Sequence, residues 1–150
     1  MIRELKRILL VEDDPRDVEL TMEALSENNL GNEVDVVADG EKALDYLYHR
    51  GDFAGRTGNN PAVILLDLKL PKVDGREVLR VIKSDDAKKM IPVVVLTSSR
   101  EERDLAETYK MGVNAYVVKP VDFHEFVDAV RNMGLFWAVI NEPPPGSARG

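Results

Sequence analysis

Short apolar runs alternate with amphipathic stretches along the chain. Most of the runs contain aliphatic residues at consecutive positions, which is typical of strands that are buried on both faces of a sheet. The predicted strands span residues 7–11, 33–38, 62–67, 91–97 and 114–119. Apolar residues at helical spacing predict helices over 15–29, 40–50, 75–84, 101–111 and 122–133. Because strands and helices alternate strictly, we predict a parallel sheet covered by helices on both faces.

Turn and capping residues mark the boundaries between these elements. Asp14 and Pro15 suit an N-cap and a first helical position, so we prefer a capping role for Asp14 to a catalytic one. Two further pairs have the spacing of a capping box, Ser99 with Glu102 and Asp122 with Glu125. The stretch GDFAGRTGNNP (51–61) interrupts the alternation with turn-forming residues. It is predicted as a surface loop that lengthens the second crossover, with a binding role as the alternative.

The length of 150 residues, the formal charge of -7 and the absence of cysteine narrow the class of protein. A single domain of this length buries roughly 68–70% of its unfolded surface without disulfide bonds. The excess of acidic residues opposes nonspecific nucleic-acid binding, which depends on contacts of Lys and Arg with phosphates. The first apolar run soon meets three acids, unlike a signal peptide or a membrane span. We expect a cytoplasmic domain that binds neither nucleic acid nor membrane.

Polar side chains collect where the predicted strands end. Glu12 and Asp13 follow the first strand, Asp67 ends the third, Thr97 ends the fourth and Lys119 ends the fifth. In such a sheet the ligand site lies beyond the carboxyl ends of the strands, where the strand order reverses. We therefore expect these five side chains to lie together. The alternative is that the acids merely cap helices or pair with surface lysines. A single acid at one strand end would favour that alternative.

Three carboxylates within several Å of one another repel unless a cation or protons intervene. A cluster of oxygen ligands suits Mg²⁺ better than a metal that prefers sulfur or imidazole. Magnesium is therefore the expected cofactor. His49 and His124 fall on predicted helices rather than at the strand ends, so both are expected at the surface.

This set of side chains suits the transfer of a phosphoryl group to a carboxylate. Asp67 would attack as the nucleophile. Mg²⁺ and Lys119 would neutralise charge on the phosphoryl oxygens, and Thr97 would donate a hydrogen bond to one of them. The product would be an aspartyl phosphate.

Four segments between about residues 8 and 133 resemble the receiver domains of two-component response regulators. They are ILLVEDDP (8–15), LLDLKLPKVDG (65–75), VVVLTSS (93–99) and YVVKP (116–120). The resemblance implies an α/β, three-layer (βα)5 flavodoxin-like fold with a parallel five-stranded sheet in the order 2-1-3-4-5. It also implies a signalling switch rather than an enzyme, with self-phosphotransfer and slow autodephosphorylation as its only reactions.

The same resemblance implies a role for each residue of the site. Asp67 would be the phospho-acceptor, with Lys119 and Thr97 beside it. Further matches are turn residues, Pro71 and Gly75 after the acceptor and Pro120, whose peptide bond with Lys119 would be cis. The metal ligands would be Glu12, Asp13, Asp67 and the backbone carbonyl of Lys69, and Mn²⁺ or Ca²⁺ could replace Mg²⁺.

Tyr116 matches the aromatic switch position of the family. In this interpretation Thr97 moves towards the phosphoryl group, Tyr116 turns into the vacated space, and a partner-binding face changes shape. That face, called 4-5-5 in the family, is formed by the predicted helix at 101–111, the strand at 114–119 and the helix at 122–133. The alternative for Tyr116 is core packing, since tyrosine is ordinary in a strand.

Features outside the core are similar to the single-domain regulators of phytochrome-type photoreceptor kinases. They are the loop at 51–61 and the segments LPKVDGREVLRVIK (70–83) and GLFWAVI (134–140). This second resemblance implies that a red/far-red light-sensing histidine kinase, such as a bacteriophytochrome, supplies the phosphoryl group. The alternative is a phosphorelay intermediate for another sensor kinase.

We predict a receiver domain at 1–134, which includes an extended loop at 50–61, followed by an extension at 135–150. Gly134 is expected to stop the last helix. Six apolar residues follow, and such patches commonly mark interfaces. We predict a homodimer with contacts from Leu135, Phe136 and Trp137; the alternative is that this segment packs on its own chain. The remaining polar residues are predicted to be flexible.

Two other classes of protein compete with a receiver. An aspartyl-phosphate phosphatase of the haloacid-dehalogenase type usually has a second Asp two residues after its nucleophile. Lys69 occupies that position here, and Asp67 ends the third strand rather than the first. A scaffold that is never phosphorylated would gain nothing from three clustered acids, which are costly without compensation. The sequence therefore favours the receiver.

Overall fold

The computed structural model of the protein describes residues 7–26, 34–58, 60–97 and 110–132. Five strands are present in these ranges: β1 (Ile8–Val11), β2 (Val34–Val37), β3 (Val63–Asp67), β4 (Val93–Thr97) and β5 (Ala115–Val118). The helices are α1 (Pro15–Ser26), α2 (Gly40–Tyr48), α3 (Gly75–Ser84) and α4 (Phe123–Asn132). Most of the helix predicted at 101–111 and the whole extension at 135–150 lie outside the described residues.

The strands form one parallel sheet in the order β2-β1-β3-β4-β5, which confirms the predicted flavodoxin-like receiver fold. β1 lies between β2 and β3, so the chain leaves β1 towards one edge of the sheet and later crosses back to the other side. The order therefore reverses between β1 and β3. In parallel sheets a ligand site lies at such a point, beyond the carboxyl ends of the strands.

Helices cover both faces of the sheet, which explains why the strands are apolar at consecutive positions. Leu9 and Val11 point to the face where α2 and α3 pack. Ile8 and Leu10 point to the opposite face, against α1 and α4. Because successive strand residues alternate between the two faces, neither set is left to the solvent. The core consists of these two apolar layers.

Aspartate side chains cap the described helices. Asp14 accepts a hydrogen bond from the Arg16 amide at 2.8 Å, which confirms its predicted capping role. Asp122 likewise accepts from the amides of His124 and Glu125. The other caps are Asp39 for α2 and Asp74 for α3. The predicted pair of Ser99 and Glu102 lies outside the described residues.

The helix predicted at 40–50 ends at Tyr48 because His49 adopts a left-handed conformation with φ 54°. His49 is half-buried, so its predicted surface position is only partly correct, whereas His124 is exposed. No helix within the described ranges is long and apolar enough to cross a lipid bilayer.

The loop at 51–61 is mostly exposed and starts with a short 3-10 turn at Gly51–Phe53. Two of its side chains nevertheless fold back onto Tyr46 of α2. Phe53 makes an edge-to-face contact with the Tyr46 ring, with ring centroids 5.3 Å apart. The Arg56 guanidinium carbon lies 4.0 Å from the Tyr46 ring centroid, and Arg56 Nε donates to the Tyr46 carbonyl at 3.0 Å. The loop is therefore anchored to the second helix.

Candidate functional site

Asp67 occupies the centre of the carboxyl edge of the sheet. It is the last residue of β3, which lies between β1 and β4, and it is only 6% exposed. Glu12 follows β1 directly, and Lys119 follows β5. The side chains meet because parallel strands all end at the same edge.

Lys119 connects this group of acids. Its Nζ lies 2.9 Å from Oε1 of Glu12, 3.0 Å from Oδ2 of Asp67 and 2.9 Å from Oδ2 of Asp17. An ammonium group has three hydrogens to donate, so all three are used. Burial opposes the charge on Lys119, but the hydrogen bonds to Glu12, Asp17 and Asp67 outweigh it and raise the pKa of the amine above its usual value.

Asp17 is the residue of this group that our reasoning from sequence missed. It lies in the first turn of α1, the helix that starts just beyond β1. The first turn of a helix that follows a strand lies at the same edge of the sheet as the end of that strand. An acid in this turn was therefore a detectable candidate. The apolar spacing of residues 15–29 predicted a helix, but it did not indicate that Asp17 would contact Lys119.

Glu12 is almost fully buried, with 1% exposure. Burial raises its pKa, the Lys119 hydrogen bond lowers it, and the neighbouring Asp67 raises it again, so that the pKa reaches about 7. The backbone amide of Asp14 also donates to Glu12 Oε2, at 3.3 Å. The ionised form of Glu12 is thus stabilised only as far as cations at the site compensate its negative charge.

Glu12, Asp13 and Asp67 form a group that could hold a metal ion, because one carboxylate oxygen from each lies within 4.8 Å of the others. Glu12 and Asp67 are buried, whereas Asp13 is exposed and opens the group to solvent. Ligands that are all oxygens fit a hard divalent cation. The amide of Lys69 donates to Oδ1 of Asp67 at 3.0 Å, which orients the carboxylate. Ligation by the Lys69 carbonyl stays a prediction.

The segment after Asp67 passes very close to the start of α3. A Cβ atom on Gly75 would lie 2.3 Å from the carbonyl oxygen of Asp67 and 2.6 Å from Cα of Leu68. The Gly75 amide donates to the Leu68 carbonyl at 3.0 Å, and Pro71 lies exposed within the turn. Glycine is therefore required sterically at position 75. On the other side of the site, the Lys119–Pro120 peptide bond is cis, as predicted.

Thr97 ends β4 and is half-buried. Its carbonyl accepts a hydrogen bond from the Lys119 amide at 2.8 Å, so the backbone of Thr97 is tied directly to the start of the Lys119–Pro120 turn. Tyr116 on β5 pairs in register with Val95 and packs partly against the core layer under α2 and α3. Packing is thus one role of Tyr116, and its role in a switch stays a prediction.

The family model for the response regulator receiver domain matches residues 8–131. Two bacteriophytochrome response regulators have similar solved structures. RtBRR is 62% identical, with a TM-score of 0.83, over 96% of this chain and 87% of that one. AtBRR is 58% identical, with a TM-score of 0.85, over 93% of this chain and 100% of that one.

Response regulator Rcp1 of Synechocystis sp. is 40% identical over 88% of each protein. The crystal structure of its Mn²⁺-bound form matches with a TM-score of 0.72 and 36% identity, over 97% of this chain and 99% of that one. The phosphorylated cyanobacterial phytochrome response regulator RcpA matches with a TM-score of 0.73 and 43% identity, over 89% of this chain and 94% of that one.

Proposed function

The chain belongs to the response regulator receiver domain family, and we propose that it accepts a phosphoryl group on Asp67 from a sensor histidine kinase. One observation carries this proposal. A single lysine, Lys119, contacts both Asp67 and Glu12 at the point where the strand order reverses, beside an exposed Asp13. A nucleophilic carboxylate, a group that could hold a cation and a fixed ammonium are the parts that phosphoryl transfer requires.

In the transfer step one oxygen of the Asp67 carboxylate attacks the phosphorus atom of a phosphohistidine. The new oxygen–phosphorus bond forms as the bond from phosphorus to the imidazole nitrogen breaks, and its electron pair stays on that nitrogen. Lys119 stabilises the phosphoryl oxygens by its charge, and the Lys69 amide holds the attacking carboxylate. The reaction needs no oxidant or reductant, and the imidazole leaves ready to take up a proton.

We propose Mg²⁺ as the bound cation, with Mn²⁺ or Ca²⁺ as substitutes, held by Glu12, Asp13, Asp67 and the Lys69 carbonyl. The oxygen-only chemistry of the three carboxylates supports a divalent cation, as does the Mn²⁺-bound form of the relative Rcp1. When bound, the cation would neutralise charge on the phosphoryl oxygens.

Asp67→Asn tests the acceptor. Wild-type protein incubated with Mg²⁺ and acetyl phosphate should gain the mass of one phosphoryl group, detected by intact mass spectrometry and removed by hydroxylamine, and Asp67→Asn should form no adduct. Asp86→Asn is the matched control, because the Asp86 side chain is 96% exposed and far along the chain from the site. Rapid multiple turnover of the phosphodonor would indicate a phosphatase instead. No adduct on the wild-type protein would indicate a scaffold.

We propose that phosphorylation alters the 4-5-5 face through Thr97 and Tyr116. The backbone tie between Thr97 and Lys119 supports a coupling between the site and β5. Thr97→Ala should still accept phosphate but lose the phosphorylation-dependent change in the NMR resonances of Tyr116. Thr57→Ala in the exposed loop is the control and should behave as wild type. Full Tyr116 shifts in Thr97→Ala would contradict this linkage.

We propose a phytochrome-type kinase as the phosphodonor, acting in the cytoplasm. The two bacteriophytochrome response regulators at 58% and 62% identity support this choice. The alternative is a phosphorelay role with another sensor kinase. Phosphotransfer from a co-expressed phytochrome kinase that differs between red and far-red light would support the proposal, whereas transfer only from a kinase without a photoreceptor would favour the alternative.

A further inference from the structure

Asp17 is a third carboxylate on Lys119 that the proposed transfer does not use. Its Oδ2 lies 2.9 Å from Nζ, as close as the oxygen of Glu12. Asp17 comes from α1 and is outside the group formed by Glu12, Asp13 and Asp67. The contact therefore adds a bond to the lysine from a helix, whereas the other contacts come from the ends of strands.

Lys119 has no hydrogen left for a phosphoryl oxygen while it donates to three carboxylates. Phosphorylation of Asp67 adds negative charge and new acceptor oxygens at this point. When Asp67 becomes an acyl phosphate, its own contact with Lys119 passes to the phosphoryl group, and any further donation by Lys119 to the phosphoryl oxygens must replace its contact with Glu12 or with Asp17. The side chain of Glu12 is fully buried and loses most if it is left unpaired, whereas that of Asp17 is 26% exposed and can be rehydrated.

We propose that Asp17 is a positioning residue that competes with the phosphoryl group for Lys119. This inference rests on the proposed phosphorylation of Asp67. In the unphosphorylated protein Asp17 holds the ammonium towards α1; in the phosphorylated protein the contact is exchanged for one to a phosphoryl oxygen. Asp17 thereby lowers the stability of the phosphorylated state. Removal of the Asp17 carboxylate stabilises that state, because it frees one hydrogen of Lys119 and reduces the negative charge at the site.

Beryllofluoride, a stable mimic of a phosphoryl group on a carboxylate, provides the test. Its dissociation constant is measured by fluorine NMR at saturating Mg²⁺, so that altered metal affinity does not enter. Asp17→Asn should bind beryllofluoride about two- to fivefold more tightly than wild type, the range expected for loss of one partly exposed charged contact. Asp17→Glu keeps the carboxylate and should stay within about twofold of wild type.

Glu19→Gln is the matched control, because it makes the same charge change at an exposed position of α1. It should leave the affinity unchanged. Equal affinity in Asp17→Asn and wild type, or tightening by Glu19→Gln as strong as by Asp17→Asn, overturns the inference alone. Weaker binding by Asp17→Asn also overturns it, since Asp17 would then be needed to orient Lys119. A wild-type protein that binds no beryllofluoride overturns the proposed function as well.

Discussion

Tyr46 shows how a single side chain fixes the inserted loop. Its ring is 2% exposed and contacts both Phe53 and Arg56, while its hydroxyl donates to Asp35 on the edge strand β2. A buried tyrosine whose hydroxyl has a partner combines apolar burial with a satisfied polar group. The loop, the second helix and the edge strand therefore converge on one residue.

The ionisation of Tyr46 should make the protein sensitive to alkaline pH. Burial, the hydrogen bond to Asp35 and the charge of Asp35 raise the pKa of Tyr46 to about 12, from an ordinary value of 10.0. Since the folded-state pKa is raised, the stabilisation is complete below pH 10 and is lost as the pH rises towards 12. Spectrophotometric titration of Tyr46→Phe should show one late-ionising tyrosine fewer than wild type. Between pH 10 and 12 the free energy of unfolding of Tyr46→Phe should fall less than that of wild type. An equal fall in both proteins would contradict this role.

The five side chains at the strand ends were predictable because each directly follows or ends an apolar run. Of these, Glu12, Asp13, Asp67 and Lys119 lie together as expected. Asp17 and the Tyr46 contacts were not predicted, since they depend on how a helix or a loop is rotated against its neighbours. Hydrophobic spacing predicts which face of a helix is buried. It does not predict which polar residue beside that face contacts a charged side chain of a neighbouring element.

At the scale of elements, the segment between β3 and α3 runs between the starts of two helices. A Cβ atom on Gly75 would meet Asp67 and Leu68, and one on Gly40, the first residue of α2, would lie 1.9 Å from the Val73 carbonyl oxygen. Lys72 within this segment has φ 63°. Its Nζ lies 3.8 Å from Oδ2 of Asp39, the N-cap of α2. The segment between β3 and α3 is thus held by α2 as well as by α3.

Gly75→Ala should disturb this segment directly. The backbone around Asp67 and Leu68 cannot give way cheaply, so we expect a loss of about 2 kcal/mol in the free energy of unfolding. We also expect slower adduct formation with acetyl phosphate. Gly55→Ala is the control: an added Cβ there meets nothing within 4 Å, and its stability should change by no more than about 0.5 kcal/mol. Chemical denaturation measures both variants, and equal stability of the two would contradict the steric argument.

Element boundaries followed local chemistry more closely than periodicity. The predicted α3 at 75–84 agrees with the structure because Asp74 caps its start and Gly75 fits the close approach. The second helix was predicted two residues too long, since apolar spacing does not reveal that His49 turns left-handed. The fourth strand was predicted to start two residues too early, because the buried apolar residue Ile91 precedes the first paired residue, Val93.

At the scale of the whole molecule, strict alternation predicted a parallel sheet, but it did not fix the order of the strands. The order 2-1-3-4-5 followed from the family resemblance. Alternation is compatible with several orders, because each crossover can move to either side of the strand before it. The four segments that resemble receiver domains selected one arrangement, because the resemblance implies the strand order of that family.

We propose a homodimer through the apolar segment at 135–140, with Leu135, Phe136 and Trp137 as contacts. Its residues lie outside the described part of the chain, so the sequence alone supports this proposal. Deletion of 135–150 should reduce the molar mass measured by light scattering from that of a dimer to that of a monomer. Deletion of 141–150 alone removes only the polar tail and should leave the dimer intact. An unchanged mass after the longer deletion would count against the proposal.

The three contacts of Lys119 also limit which copies of the protein could carry out the proposed phosphoryl transfer. Glu12 and Lys119 are 107 positions apart along the chain, so their contact requires the first and the fifth strand to be in place in the same sheet. A nascent chain that still lacks its fifth strand has no amine beside Asp67, and neither has a damaged copy whose fifth strand has detached. If Asp67 accepts the phosphoryl group as proposed, only copies with the fifth strand in place hold the ammonium that the transfer needs, so we expect incompletely folded copies not to respond to a phosphodonor.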